Sequence, residues 1–302
     1  MMKKMNKRYA ELQVAEGVYV PSTQLNYPED DPYVGLYQPV YDRPYPEIDA
    51  DYPYVDDSFV NRLRIFFGYG LILRTLGLII RIKYGLRSYV FENGKPVRRC
   101  FGIQRMLSKY KEQLRGGAIT VGNHCYRHDC ASILTSVHID RHTRIPMFAP
   151  NFRTKDQFFL RAVGGIPIPA PEAGISAMKA FNAAFDEFHK RGYWFHIFPE
   201  AKRWDWYKPL RPFQKGAFTM TYKYNMPIIP CVVTYRPRTG IYKLFASQEE
   251  PLTQVIVGEP IIPDTTQPRA AEVERLRQLT HETMCRMAGI IHNSWPVKPE
   301  NE

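Results

Sequence analysis

His124 and Asp129 stand five residues apart in Asn123-His124-Cys125-Tyr126-Arg127-His128-Asp129, a polar stretch between two apolar ones. An imidazole has an unperturbed pKa of about 6.5. Held in one tautomer by a carboxylate, it is a competent general base for a hydroxyl, worth roughly 10² to 10⁴ in rate. On a continuous helix this spacing turns the two side chains to different sides, so a turn must intervene for them to meet. The other role open to His124 is local, satisfying nearby backbone groups. Because Cys125, His128 and Cys130 crowd the same stretch, zinc chemistry is a second possibility. Zinc hydrolase motifs, however, set a Glu after the first His and add a distant ligand, so no metal is expected. Cys125 is read as an incidental thiol rather than a nucleophile.

The elements around this stretch explain how it is positioned. It follows Ala118-Ile119-Thr120-Val121-Gly122, a short β-branched run flanked by Gly116-Gly117, which reads as a buried strand emptying into a loop. Residues 130–137 then suit a helix, and strand, polar loop, helix is where open α/β sheets keep their chemistry. Asn93-Gly94 predicts a hairpin over 90–97, and spaced apolar residues predict a helix over 101–114. Strands are expected at 144–149, 193–198, 228–235, 242–246 and 254–258, with helices at 156–163, 176–190 and 270–287. The strand at 193–198 delivers Pro199-Glu200 to the same sheet edge as His124. Strand and helix alternation predicts an α/β fold with a mainly parallel central sheet flanked by helices on both faces. There is no Gly-rich phosphate loop of Walker or dinucleotide type.

Three blocks in order resemble the lysophospholipid acyltransferase family, across roughly 103–259. Asn123-His124-x4-Asp129 matches its Asn-His-x4-Asp signature. Phe198-Pro199-Glu200-Ala201-Lys202-Arg203 resembles Phe-Pro-Glu-Gly-Thr-Arg, and Pro227-Ile228-Ile229-Pro230 resembles its Pro-hydrophobic-x-Pro block. Gly164-Gly165-Ile166-Pro167-Ile168 is similar to the family's Gly-x-Ile-hydrophobic block near the acceptor pocket, without the Arg that usually ends it. Phe213-Gln214-Lys215-Gly216-Ala217 resembles its Phe-Lys-Lys-Gly-Ala continuation. Ala201-Lys202 in place of Gly-Thr removes a flexible glycine and a hydroxyl.

The resemblance implies a glycerolipid acyltransferase-like fold and transfer of a fatty acyl group from acyl-CoA or acyl-carrier protein (acyl-ACP). The implied acceptor is the sn-2 hydroxyl of 1-acylglycerol-3-phosphate, giving phosphatidic acid, with glycerol-3-phosphate or another lysophospholipid as the alternative. It assigns catalysis to His124 and Asp129, and substrate binding to Asn123, Gly165, Ile166, Pro167, Glu200 and Arg203. Arg203 sits where the family's phosphate-binding arginine sits, and its planar fork suits a phosphate monoester. Arg153, Lys155, Arg161 and Lys215 are further candidate phosphate contacts. No cofactor beyond the acyl carrier is implied.

Charge and hydropathy divide the chain. Its 302 residues carry a net charge of +11, yet residues 22–57 hold nine acids against one base, so the remainder is more basic still. Such a surplus favours an anionic partner: nucleic acid, phospholipid head groups or a phosphorylated substrate. Residues 1–57 read as an acidic, Tyr/Pro-rich extended arm, 58–88 as an amphipathic membrane-associating helical segment, and 89–302 as the catalytic domain. Arg74 falls in the middle of the apolar segment, where a spanning helix would bear a cost of about 3 kcal/mol. One or two helices lying in an anionic membrane surface, arginines snorkelling, fit better; packing on the protein's own core is the alternative. Five scattered cysteines suit reduced thiols. No apolar run follows Lys3, Lys4, Lys7 and Arg8, so no secretory signal is expected. The expected place is cytoplasmic, peripheral or monotopic on the inner face of the membrane. A non-enzymatic alternative is a basic membrane-surface or nucleic-acid-binding module, with Trp204, Trp206 and Tyr207 stacking bases. The lipid-suited segment speaks against nucleic acid, which is not expected as a partner.

Overall fold

The computed structural model describes residues 47–98, 107–137, 142–153, 157–201, 203, 210–244 and 251–290. They build one eight-stranded sheet: β1 (Arg87–Glu92), β2 (Lys95–Arg98), β3 (Ile119–Gly122), β4 (Thr143–Phe148), β5 (Gly165–Ile168), β6 (Trp194–Ile197), β7 (Ile228–Arg236) and β8 (Leu252–Val257). Their order across the sheet is β2-β1-β8-β7-β3-β6-β4-β5. Pairing is parallel except for β1 with β2 and β7 with β8, so the sheet is mainly parallel, as expected. Asn93 and Gly94, at φ 52° and 77°, close the β1–β2 hairpin with the left-handed pair that a two-residue turn demands.

Among the described residues six helices flank the sheet: α1 (Phe59–Lys83), α2 (Asp129–Val137), α3 (Gln157–Ala162), α4 (Gly174–Lys190), α5 (Gly216–Tyr224) and α6 (Arg269–Ala288). Alternating side chains of the central strands feed two cores. Ile228 and Val232 of β7 join Phe185 and Phe188 of α4, Phe218 of α5 and Leu276 of α6 on one face. Ile229, Cys231 and Val233 join Leu73 and Ile80 of α1 and Ile133 and Leu134 of α2 on the other. This period-two division is what a strand buried on both faces must show.

Helix α1 passes through a π-helical turn at Gly68–Ile72. It buries one stripe, including Tyr69, Leu73, Gly77 and Ile80, against the domain. Its glycines permit that approach: a Cβ on Gly68 would lie 2.0 Å from the Ala162 carbonyl oxygen, and one on Gly77 would lie 2.7 Å from Thr135. The opposite face is apolar and open, with Phe59, Phe66, Leu71, Leu78 and Ile82 each more than half exposed. One side of this segment therefore packs on the protein's own core and the other is open. By length and composition it is also the one helix among the described residues able to cross a membrane.

One expectation needs revision. Residues 240–244 form a 3-10 helix, Gly240–Leu244, where a strand over 242–246 was expected. Of the helix expected over 101–114, residues 101–106 lie outside the described residues, 107–108 are helical and 109–114 form turns, with Tyr110 N–H bonded to the Leu107 carbonyl and Leu114 N–H to that of Tyr110. Of the acidic arm, residues 1–46 lie outside the described residues. Its last part, 47–57, packs Ile48, Tyr52 and Tyr54 into the core beside Phe181.

Candidate active site

β3 ends at Gly122, the chain bends at Tyr126-Arg127-His128, and α2 starts on Asp129. That turn brings the two side chains together: His124 Nδ1 lies 2.7 Å from Asp129 Oδ2. The carboxylate is held on all sides. Oδ2 also accepts from the backbone N–H of Cys125 at 2.8 Å and of Tyr126 at 3.3 Å, while Oδ1 accepts from Cys130 N–H at 2.6 Å. Burial alone would raise the Asp129 pKa, but the facing His124, the Cys125 N–H and the charge of Arg203 outweigh it and hold the carboxyl below its ordinary value. With Nδ1 committed to Asp129 and the side chain 26% exposed, the ring offers Nε2 to an incoming hydroxyl.

The ring is fixed from a second direction by Phe198, stacked on it at 4.3 Å and 17°. Phe198 follows β6 and meets the buried His196 edge-on at 4.5 Å. His196 Nδ1 lies 2.9 Å from Thr120 Oγ1, and burial lowers its pKa to about 4, so it stays neutral. His128, lowered to about 4 mainly by burial and then by Arg127, is likewise neutral at pH 7, but among the described residues its ring has no hydrogen bond to a carboxylate of the kind that orients His124.

Glu200 ties two loops together. Its Oε2 accepts from the His124 backbone N–H at 3.1 Å and its Oε1 from Arg211 N–H at 3.0 Å. Burial pushes its carboxyl up to about 7 against the pull of those two donors and of Arg211. Ala201 follows at φ 63°, the left-handed conformation that suits the glycine of the resembling block. Arg203 is buried, and its charge is felt at both Asp129 and His128, which places it beside the dyad.

The remaining expected residues are distributed differently. Asn123 is 1% exposed and spends both ends of its amide on β7: Nδ2 donates to the Val233 carbonyl at 3.0 Å, and Oδ1 accepts from Val233 N–H at 2.7 Å. Because β3 and β7 pair up to Gly122 and Cys231, this side chain adds one more rung after the backbone has turned away. Gly165, Ile166 and Pro167 form β5 at the sheet edge, three strands from β3, about 14 Å across the hydrogen-bonding direction. They are not brought against His124. Lys215 is exposed just ahead of α5. Lys155 and Lys202 lie outside the described residues, as does the side chain of Arg153. Sequence reasoning did not single out Phe198, although it opens one of the quoted blocks, nor the Arg211 N–H. A backbone donor leaves no mark on residue type.

A base-and-carboxylate pair at the carboxyl edge of a mainly parallel α/β sheet, with a buried arginine beside it, is chemically able to take the proton of a hydroxyl. Residues 102–234 match the family model described as Acyltransferase, a stretch that contains the whole of that corner. Among solved structures the chain is similar to the 1-acyl-sn-glycerophosphate (LPA) acyltransferase PlsC from Thermotoga maritima. The identity is 17% and the TM-score 0.46, over 79% of this chain and 91% of that one. No curated protein matches the chain.

Proposed function

We propose that the chain transfers a fatty acyl group from acyl-CoA or acyl-ACP to the sn-2 hydroxyl of 1-acylglycerol-3-phosphate, giving phosphatidic acid. The observation that carries this reading is the 2.7 Å contact between His124 Nδ1 and Asp129, within a stretch that matches an acyltransferase family. His124 Nε2 takes the proton of the acceptor hydroxyl as its oxygen attacks the thioester carbonyl. The tetrahedral intermediate then collapses, the carbon–sulfur bond breaks, and the imidazolium returns the proton to the departing thiolate. Asp129 keeps the imidazole in the required tautomer and balances its transient charge. Glu200, Phe198 and Asn123 hold the loop and ring in place, and Arg203 supplies a fork for the acceptor phosphate. The open apolar face of α1, with exposed Arg62, Arg74 and Arg81 around it, would seat this site on a lipid surface, where both acyl chains reside.

The test is release of free thiol from palmitoyl-CoA, and from palmitoyl-ACP, when 1-acylglycerol-3-phosphate is presented in anionic vesicles. Thiol release should depend on the acceptor and fall by about 10² to 10⁴ in His124→Ala. Acceptor-dependent transfer at the wild-type rate in that variant would remove the assignment. Substituting glycerol-3-phosphate or a neutral lysolipid defines the acceptor.

A further inference from the structure

A second cationic site lies at the opposite end of the sheet. Arg144, second residue of β4, is level with Ile119, the first residue of β3, through Phe195 between them. His124 is five residues further on, about 16 Å of extended chain. The Arg144 side chain is 7% exposed and lies between two ring faces, with its guanidinium carbon 4.9 Å from the Phe188 centroid and 4.5 Å from that of Tyr193. A guanidinium carries five N–H donors. Among the described residues Arg144 uses one, to the Thr143 carbonyl at 3.2 Å.

Arg144 lines a cavity of about 40 Å³, shared with Arg161, Arg191 and the Gly164-Gly165 backbone, and roofed by the 52–57 segment of the acidic arm, whose Asp56 and Asp57 are also in the lining. Arg191 is already satisfied: its two terminal nitrogens grip Asp57 at 2.7 and 2.9 Å, and its Nε donates to Glu187 at 2.8 Å. Arg144 and Arg161 form no ion pair among the described residues. Arg161 lies over the rings of Tyr52 and Phe152, at 5.3 and 5.7 Å. The cavity lining therefore carries three arginines against two carboxylates, one of which, Asp57, is gripped by Arg191 and also acts on Arg144, so positive charge is in excess there. A water occupies about 10–15 Å³ of such space, so the cavity takes about three waters or one tetrahedral oxyanion and has no room for a lipid chain or a nucleobase.

We propose that this cavity binds a small oxyanion of the phosphate or sulfate type, held by Arg144 and Arg161 beneath the 52–57 segment and separate from the catalytic corner. Its occupant links the arm to the sheet, since one wall belongs to each. The anion comes either free or as the terminal group of a small phosphate monoester.

Thermal unfolding and calorimetry of the full chain test this, with sodium phosphate compared against sodium chloride at matched ionic strength. Phosphate at roughly 100-fold excess over its Kd should raise the Tm by several degrees. The rise should persist in Arg203→Gln, which removes the acceptor-phosphate fork, and vanish in Arg144→Gln. In Arg161→Gln the Kd should weaken at least tenfold, and because that side chain is only partly buried this variant decides the matter if Arg144→Gln fails to fold. Run in the Arg203→Gln background, sn-glycerol-3-phosphate separates the sources: a rise equal to that from phosphate assigns monoesters, and no rise assigns the free anion. No response of the wild type beyond that to chloride overturns the proposal. So does a response lost in Arg203→Gln and kept in Arg144→Gln, or an unchanged Kd in Arg161→Gln.

Discussion

The two ends of the sheet bury charge by opposite means. At the carboxyl edge Asp129 is surrounded by the chain's own donors: three backbone N–H groups and one imidazole. At the amino edge Arg144 is surrounded by ring faces, with a single hydrogen bond to a carbonyl. Full hydrogen bonding fixes a group in one place and one protonation state, which a general base's partner needs. Ring faces soften the burial of a cation while leaving its donors to something that arrives from outside. The difference separates a finished site from one that waits for an occupant.

The largest effect should come from breaking the finished end. Asp129→Asn keeps the shape of the side chain but presents an amide where a carboxylate gathered N–H donors, so His124 loses its tautomer and its counter-charge. Thiol release should fall about 10² to 10⁴-fold, measured as kcat/KM on the same vesicles. The lowered Asp129 pKa adds a stability signature. A group depressed on folding contributes stability present above its unfolded pKa and lost as pH falls through the folded value. Wild type should therefore lose stability on acidification below the ordinary carboxylate range, and Asp129→Asn should lose part of that dependence.

Glu200 sharpens the contrast within the same corner, because there the donors do not win. Its two N–H partners favour the ionised form, but burial holds the carboxyl near 7. A carboxyl raised on folding contributes stability that is fully present below its unfolded pKa and lost as pH rises through the folded value. The window is thus from the ordinary carboxylate range up to about pH 7, in which wild type should become less stable as pH rises. Glu200→Gln should flatten that slope in urea melts taken across the window. It should also cost about 1–3 kcal/mol, because an amide can accept from one of the two backbone donors but not both. A slope unchanged by the substitution would mean that the pH response belongs to another group.

Much of this corner was legible before any coordinates, and the reason is local. Ala118 to Asp129 is one strand, one turn and the first residue of one helix, so residue type and spacing over twelve positions carry the geometry. The mainly parallel sheet was legible too, because strands buried on both faces are continuous apolar runs alternating with helices. What remained hidden depends on contacts across long separations. Asn123 bonds a strand 110 residues away, and nothing near it distinguishes a β-sheet clamp from a substrate contact. The block containing Gly165, Ile166 and Pro167 resembles an acceptor-pocket segment, yet strand order puts it at the far edge of the sheet. Within the strand expected over 242–246 Leu244 is exposed, as is Ile241 just before it, so no buried face holds that stretch extended. Of the arginine cavity the sequence offered only Arg161, as one of several candidate phosphate contacts, since Arg144, Arg161 and Tyr52 belong to three separate elements.

A milder perturbation addresses the amino edge directly. Arg144→Met keeps a long side chain between Phe188 and Tyr193 but removes the buried charge. Thiol release should stay within about twofold of wild type, because the substitution is remote from the dyad. Replacing a buried charge with an apolar group of similar volume is often neutral or stabilising, by about 1–4 kcal/mol in favourable cases. Phosphate-free melts should show no loss of stability. A large loss would indicate that the described neighbours, rather than an arriving anion, already compensate Arg144.

The smallest effect should come from Ala201, at the junction between Glu200 and Arg203. At φ 63° an L side chain is strained, whereas glycine is not, and the penalty for a non-glycine residue in this region is about 1–2 kcal/mol. Glycine also loses more freedom on folding, which offsets part of the gain. Ala201→Gly should therefore stabilise the protein by about 0.5–1 kcal/mol, a shift of a few degrees at most in Tm. Two measurements separate relief of strain from a functional role for the alanine. If the strain is only tolerated, Tm rises and kcat/KM is unchanged. If the stiffer residue keeps Glu200 and Arg203 in register with His124, Tm rises while kcat falls, and the fall should be recovered by Ala201→Asn, since asparagine adopts this conformation more readily than alanine while remaining less flexible than glycine.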